Sequence, residues 1–464
     1  MTKDLRSFLS KVQKEIPGEF KSINKMVSPE FEINAIQVKL EEKNKNPILF
    51  ANNIKNLLGE KSLFKFVTNI FAERKFCALS LDLPGDKCRM EPALEFDKRS
   101  TNPIKPLIIK KSEAPIKDVI WTGKDINLFQ LPILVHHEMD ALPYLTSVVV
   151  AADPDTGIYN SSFHRQLVRS SDELGLWMSP RHLNDYFRRV EKKGEPLPVA
   201  HVIGHHPGFF LGTESLIGID KDEYDTIGGI LGEPLRLVPS EAYGEKLLVP
   251  ADAEIIIEGE LLPNIRKPEG PFGEFSGYYG PQRWSWIMKV KAITFRKDAI
   301  YMNISPARAD HHIAGAIPKE GGMYHIVKDA VPTVKEVCFP KSGCCRFNCY
   351  ISIDKQNEGE ARTAALAVIP FFDEVKHVIV VDDDIDVYNE QDVQWAVATR
   401  VQADKDVSII SNVRGGALDP SQTHPTQGAK MIIDATKPID RPFPERVKVP
   451  KEILEKTKLE NYFR

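Results

Sequence analysis

The chain has 464 residues, 42% hydrophobic and 27% charged, the composition of an ordinary globular protein with room for two or three domains. Its formal net charge of −4 argues against a general nucleic-acid binder. No run approaches the roughly 20 apolar residues of a membrane-spanning helix, and the amphipathic start, MTKDLRSFLSKVQKEI, lacks the apolar centre of a signal peptide. A cytoplasmic location is the expectation, with neither nucleic acid nor membrane as partner.

Residues 1–25 read as a helix, with Leu5, Phe8, Leu9, Val12 and Ile16 at helical spacing. Residues 46–53 resemble a buried strand, and 62–81 a helix. RSTNPIKP (99–106) is a proline-containing linker. From about 125 to 310 strands dominate, beginning with an apolar β-branched run, the turn Asp153-Pro-Asp-Thr-Gly157 and a second strand. One helical segment (about 179–193) interrupts a barrel-like pattern whose last strand is expected to end at Ser305. From about 318 to 440 the chain reads α/β, with strands in VKEVCFP, CCRFNCYISID, HVIVVDDDIDV and VSIISNV and helices in GEARTAALAVIPFF and EQDVQWAVATRV. The tail reads as a terminal helix suited to docking on another subunit. The predicted organisation is an N-terminal α/β region (1–120), a barrel domain (121–315), a C-terminal α/β domain (316–440), and a connector with helix (441–464).

Four of the six cysteines, Cys338, Cys344, Cys345 and Cys349, fall close together, but C-x5-CC-x3-C matches no common zinc pattern. Buried thiols are expected. The chain also lacks the P-loop, the dinucleotide-binding glycine fingerprint and G-x-S-x-G, which disfavours the enzymes built on them.

The stretch Glu269-Gly-Pro-Phe-Gly-Glu-Phe-Ser-Gly-Tyr278 carries two carboxylates, Glu269 and Glu274, among three glycines and a proline. Extended chain would hold them roughly 16 Å apart, so they act on one small molecule only if the glycines bend the segment. A glycine-rich surface turn is the plainer reading. In Asn160-Ser-Ser-Phe-His-Arg165, strand alternation sends Asn160, Ser162 and His164 one way and Arg165 the other. Arg165 reads either as a structural ion-pair residue or as a bidentate clamp for a carboxylate or phosphate. Asn160, His182 and Glu223 together would form an O/N site suited to manganese or magnesium. Arg308, His311 and His312 are candidates for lining a substrate pocket. The run Asp382 to Asp386 either holds a cation or caps a helix and orders a loop.

Taken together, these residues resemble the UbiD family of reversible decarboxylases. EGPFGEFSGYYGP is similar to that family's E-G-P-[FY]-G-[ED]-x-x-G-Y signature, NSSFHRQLV to its N-x-x-x-x-R segment, and EYDTIGGILGEP to a loop with a metal-binding glutamate. VIVVDDDIDVYNEQDVQWAVATR, LDPS and AKMIIDAT are similar to its C-terminal domain. HVIGHHPGFFLG, SPARADHHIAG and NVRGGALDPS are closest to members acting on heteroaromatic acids, such as furan-dicarboxylate decarboxylases.

The resemblance implies a split β-barrel cofactor domain flanked by the two α/β regions, and a homo-oligomer, dimer or hexamer. It implies prenylated FMN, supplied by a flavin prenyltransferase, with a manganese-type ion on Asn160, His182 and Glu223 and in some relatives a potassium ion. Ser161, Ser162, Phe163, His164, Arg165, Arg181 and His182 fall in cofactor-contacting segments. Arg165, Glu269 and Glu274 take the places of the catalytic arginine and glutamates, and the substrates are a small carboxylic acid and, in reverse, CO2. Ser162-Phe163-His164 departs from the Gly-Ile-Tyr of many members. The rival readings are a flavin-dependent oxidoreductase on the same barrel and a non-catalytic flavin-binding subunit of a carboxylase.

Overall fold

The computed structural model describes residues 2–424 and 426–463. Six strands close into a barrel in the order Ile255–Glu269, Leu197–Ile203, Tyr144–Ala152, Tyr159–Ser170, Glu173–Leu176 and Arg283–Phe295, and the last pairs back with the first. Val119–Thr122 adds to the outside of Arg283–Phe295. The strands Tyr144–Ala152 and Leu197–Ile203 are mostly apolar because both of their faces are covered. Val148, Val150, Val202 and Ile256 enter one apolar core, whereas Val149, Ala151, Ile203, Ile255 and Ile257 enter another.

The N-terminal sheet holds Phe20–Ile23, Ile48–Ala51, Lys65–Thr68 and Ile300–Met302. Three expectations change here. The first helix covers only Leu5–Glu15, since Pro17 opens a different turn and Phe20–Ile23 is a strand. Residues 62–81 split into the strand Lys65–Thr68 and the helix Arg74–Ser80, because strands pair along both sides of the first half. The stretch before Ser305 is not a barrel strand: Ile300–Met302 leaves the barrel and pairs in parallel with Lys65–Thr68.

A 22-residue helix, Ala309–Ala330, links the parts. Asp310 in its first turn accepts from the backbone N–H of Asn69 and Phe71, and Glu320 takes a two-nitrogen contact from Arg74 and a third hydrogen bond from Phe339 N. The expected domain edge at 315/316 falls inside this helix. The C-terminal sheet runs Val334–Cys338, Asn348–Ile353, His377–Asp382, Gln427–Ala435, Val407–Arg414, with a parallel centre and antiparallel edges. The second of these strands starts at Asn348, past Cys344 and Cys345, which sit in a left-handed turn. Cys338, Cys345 and Cys349 are buried free thiols, as expected. The tail forms the short helix Lys451–Lys456 and a single 3-10 turn at Leu459–Asn461, and its Val447, Leu454 and Phe463 are exposed.

Candidate active site

The signature segment bends as its glycines allow. Glu269 ends a barrel strand, Gly270 turns the chain at φ +94°, and Phe272–Gly273 pairs with Tyr279–Gly280 across a turn containing Gly277 at φ +79°. The hairpin is pinned from the side: Gly273 N donates to Asp140 Oδ1 at 3.0 Å, and Gly270 N donates to the Tyr144 hydroxyl at 3.2 Å. A Cβ on Gly273 would stand 2.3 Å from His137 Nδ1, so this position has no room for a side chain.

Both glutamates then meet Arg165. Its Nε and Nη2 donate to Glu269 at 2.9 and 3.1 Å, and its Nη1 donates to Glu274. Arg165 lies between the rings of Trp177 and Phe272, each 5.1 Å from the guanidinium carbon. Glu269 is fully buried and Glu274 is 7% exposed. Burial raises the Glu274 pKa above the usual carboxylate value; Arg165 opposes the rise and Glu269 adds to it. Arg165, Glu274, Trp177, Phe272 and His311 help line one pocket that opens to solvent.

At the other end of the strand Tyr159–Ser170, Asn160 Nδ2 donates to Glu223 Oε1 at 2.7 Å, and Ser161 N donates to Glu223 Oε2. His182 Nδ1 lies 3.5 Å from Glu223 Oε1. Three residues distant in sequence thus converge, because Glu223 and His182 each open a helix aimed at this strand's start. Burial raises the Glu223 pKa. Among the described residues no group of three or more His, Cys, Asp or Glu could hold a metal; this cluster offers two such residues and an amide. Its hard oxygen and nitrogen donors fit a divalent cation, and the buried, unpartnered Ser161 Oγ beside it fits a further polar group such as a phosphate. Ser162 bridges Asn160 Oδ1 (3.1 Å) and His164 Nε2 (2.9 Å), so the alternation predicted for 160, 162 and 164 holds. Phe163 and His164 line the pocket, whereas Arg181 is exposed at the helix start.

Of the three substrate candidates, His311 lines the pocket. His312 bonds Phe275 O at 2.8 Å and so steadies the residue next to Glu274. Arg308 is drawn away by Glu41 at 3.0 Å and does not line the pocket. Asp382 and Asp384 both pair with Arg400, and Asp386 with Arg89, so this run is a structural ion-pair network. Sequence reasoning missed Trp177, Tyr144 and Asp140, which only the barrel closure brings to Arg165 and the hairpin.

The closed barrel flanked by α/β units, together with the family and structural matches that follow, makes this protein a carboxy-lyase. Residues 108–309 match the UbiD 3-octaprenyl-4-hydroxybenzoate carboxy-lyase Rift-related domain, 312–435 its C-terminal domain and 13–91 its N-terminal domain. The chain belongs to the UbiD family. It is 39% identical to anhydromevalonate phosphate decarboxylase of Methanothermobacter thermautotrophicus over 68% of this chain and 74% of that one. It is 33% identical to phenolic acid decarboxylase of Sedimentibacter hydroxybenzoicus over 94% and 92% of the two chains. The FMN complex of the UbiD-class enzyme HmfF from Pelotomaculum thermopropionicum superposes with a TM-score of 0.91 at 37% identity, covering 99% of this chain and 100% of that one. An evolved dimeric form of HmfF, in complex with prenylated FMN, superposes with a TM-score of 0.88 at 35% identity over the full length of both chains.

Proposed function

We propose that this carboxy-lyase catalyses reversible, non-oxidative decarboxylation of an aromatic, heteroaromatic or α,β-unsaturated acid with prenylated FMN, and that Arg165, Glu269 and Glu274 form the reacting centre. The observation that carries the reading is the buried Arg165 shared unequally between two glutamates at the pocket. Loss of CO2 leaves an electron pair on carbon, and prenylated FMN supplies the electron sink that neither a carboxylate nor a guanidinium offers.

The chain's own residues do the rest. Asn160, His182 and Glu223 would hold a Mn2+-type ion, which would offset the negative charge of the cofactor phosphate, with Ser161 Oγ as a further donor. Glu269 keeps Arg165 in one orientation. The substrate carboxylate takes the Arg165 Nη1 that Glu274 occupies in the free protein. Glu274, thus released, delivers its proton to the carbon that loses CO2 and regains one from solvent; in the carboxylating direction it removes that proton. Hydride transfer, the oxidoreductase reading, has no use for such a carboxyl.

The exposed apolar side chains of residues 447–463 support assembly with further copies of the chain as a dimer or hexamer. No helix among the described residues is long and apolar enough to cross a membrane. The test is co-expression with a flavin prenyltransferase, mass and absorbance of the retained flavin, and a screen of phenolic, heteroaromatic and unsaturated acids for CO2 release. Plain FMN with NAD(P)H consumption and no CO2 release would overturn the reading.

A further inference from the structure

Beside the hairpin stands a cation without a partner. Arg283 opens the barrel strand Arg283–Phe295 and lies directly opposite Glu269 in the antiparallel register. Residues opposed in this way send their side chains to the same face of the sheet, so Arg283 shares the side of Glu269. Its guanidinium carbon is 5.0 Å from the ring centre of Trp177, the ring that also carries Arg165 at 5.1 Å. Trp177 thus serves two guanidiniums, one in the pocket wall and one outside it. Arg283 is half-buried, and among the described residues no carboxylate pairs with it and no acceptor takes a hydrogen bond from its guanidinium. The π face of Trp177 is what the protein offers this charge.

Arg283 is also near enough to Glu274 to oppose, after Arg165, the rise that burial imposes on the Glu274 pKa. The other titratable groups around Glu274 leave that task to the arginines. Glu269 adds to the rise and is itself held by Arg165. Asp140 adds to it as well, although the backbone N–H groups of His136, His137 and Gly273 all donate to its carboxylate. Burial keeps the Tyr144 hydroxyl and the His311 ring uncharged. Glu214, on the pocket wall, stands 3.9 Å from Lys319.

The charges of the two arginines and two glutamates balance only if Arg283 is counted. In the free protein they cancel. When the substrate carboxylate takes its place on Arg165 and Glu274 gains a proton, they cancel again. When the bond to the carboxylate carbon breaks, CO2 leaves uncharged, its bonding electron pair stays on the carbon left behind, and that carbon takes the Glu274 proton. Glu274 is then charged, and the balance holds a third time. Without Arg283 every one of these states leaves a negative charge uncompensated in a buried site, which is costly.

We propose that Arg283 is a positioning residue of the proton step: acting across Trp177, it keeps a second positive charge on Glu274 once the substrate carboxylate has claimed Arg165. This rests on the decarboxylase reading for the proton step, but the coupling of Arg283 to Glu274 has a test that needs no substrate.

The infrared carbonyl stretch of the protonated Glu274 carboxyl, assigned by its loss in Glu274→Gln, is followed against pH in flavin-loaded wild type, Arg283→Gln and Arg283→Lys. The band should persist to higher pH in Arg283→Gln, because a lost cation disfavours the charged form. Arg283→Lys, which keeps the charge and gives up the planar stack, should titrate close to wild type. With any acid of the CO2 screen that reacts, the fall in decarboxylation rate should move to higher pH in Arg283→Gln. Its low-pH kcat should drop roughly 3- to 30-fold, since a weaker acid gives up its proton more slowly, with KM and flavin content unchanged. An unmoved band in Arg283→Gln overturns the proposal. So does an Arg283→Lys band displaced as far as that of Arg283→Gln, which would leave the side chain a mere prop for Trp177, or an Arg283→Gln protein that sheds its flavin. If the bands move as expected but no acid releases CO2, the coupling stands and the decarboxylase reading falls.

Discussion

Glu269 takes both Nε and Nη2 of Arg165, at 2.9 and 3.1 Å, and is itself fully buried. That pairing makes the two glutamates unequal. Glu269 is fixed by a planar two-nitrogen contact, whereas Glu274 holds one nitrogen that a substrate carboxylate can take over.

Glu274→Gln keeps the shape of the side chain and removes its acidic proton. Turnover should fall about 100- to 10,000-fold, the usual contribution of general acid–base catalysis, with flavin content unchanged. Full CO2 release by this variant would remove Glu274 from the proton role.

The same residue sets a pH dependence. Burial raises its pKa, and the proton donor in decarboxylation is the neutral carboxyl. The decarboxylation rate should therefore fall as pH rises through that raised value. Displacement of Glu274 from Arg165 removes the larger of the two cationic influences that favour its charged form, the other being Arg283, so substrate binding should take up a proton. Calorimetry in buffers of different ionisation enthalpy measures this uptake, which should vanish in Glu274→Gln.

Arg165→Ala leaves Glu269 charged, buried and unpaired. A loss of about 3–5 kcal/mol in unfolding free energy is expected, measured by denaturant titration. kcat/KM should also fall by a factor worth several kcal/mol, since a carboxylate contact made in the transition state is lost. Arg165→Lys should recover part of the stability and little of the activity, because an ammonium cannot reproduce the fork.

Glu223→Gln removes the charge on which Asn160 and His182 converge. Mn2+ affinity should drop by more than the roughly 10- to 100-fold typical of losing an outer partner of a metal site. Metal analysis reads the ion, and absorbance after gel filtration reads the flavin it helps retain. Chelator treatment of wild type should mimic the variant, with Mn2+ reversing it.

Gly273→Ala tests the hairpin. Its Cβ would lie 2.3 Å from His137 Nδ1, so His137 or the hairpin must move. Overpacking of this kind costs about 1–3 kcal/mol. Because the hairpin carries Glu274, turnover should fall further than Tm suggests; an unaffected rate would separate the hairpin from the chemistry.

What was legible in the sequence was the chemistry carried by local motifs. The glycines of 270–277 and the order Asn160 to Arg165 are short-range features, and both took the shapes their residue types favour. Helix and strand were confused over 62–81 because an apolar run buried on both sides has no period to read. Arg308 was misjudged because its partner, Glu41, lies 267 residues away.

The return of Ile300–Met302 to the first sheet sets an order of assembly. The other three strands of that sheet are complete by residue 68. A chain emerging from the ribosome must therefore add the entire barrel, a wait of roughly 10–50 s at about 5–20 residues per second, before the sheet gains its last member. Throughout that interval Lys65–Thr68 presents a bare, apolar edge, the kind of surface on which nascent chains cross-pair. The aggregation hazard of this protein during production therefore sits at its beginning, and a fragment ending at residue 120 would carry that exposed edge permanently.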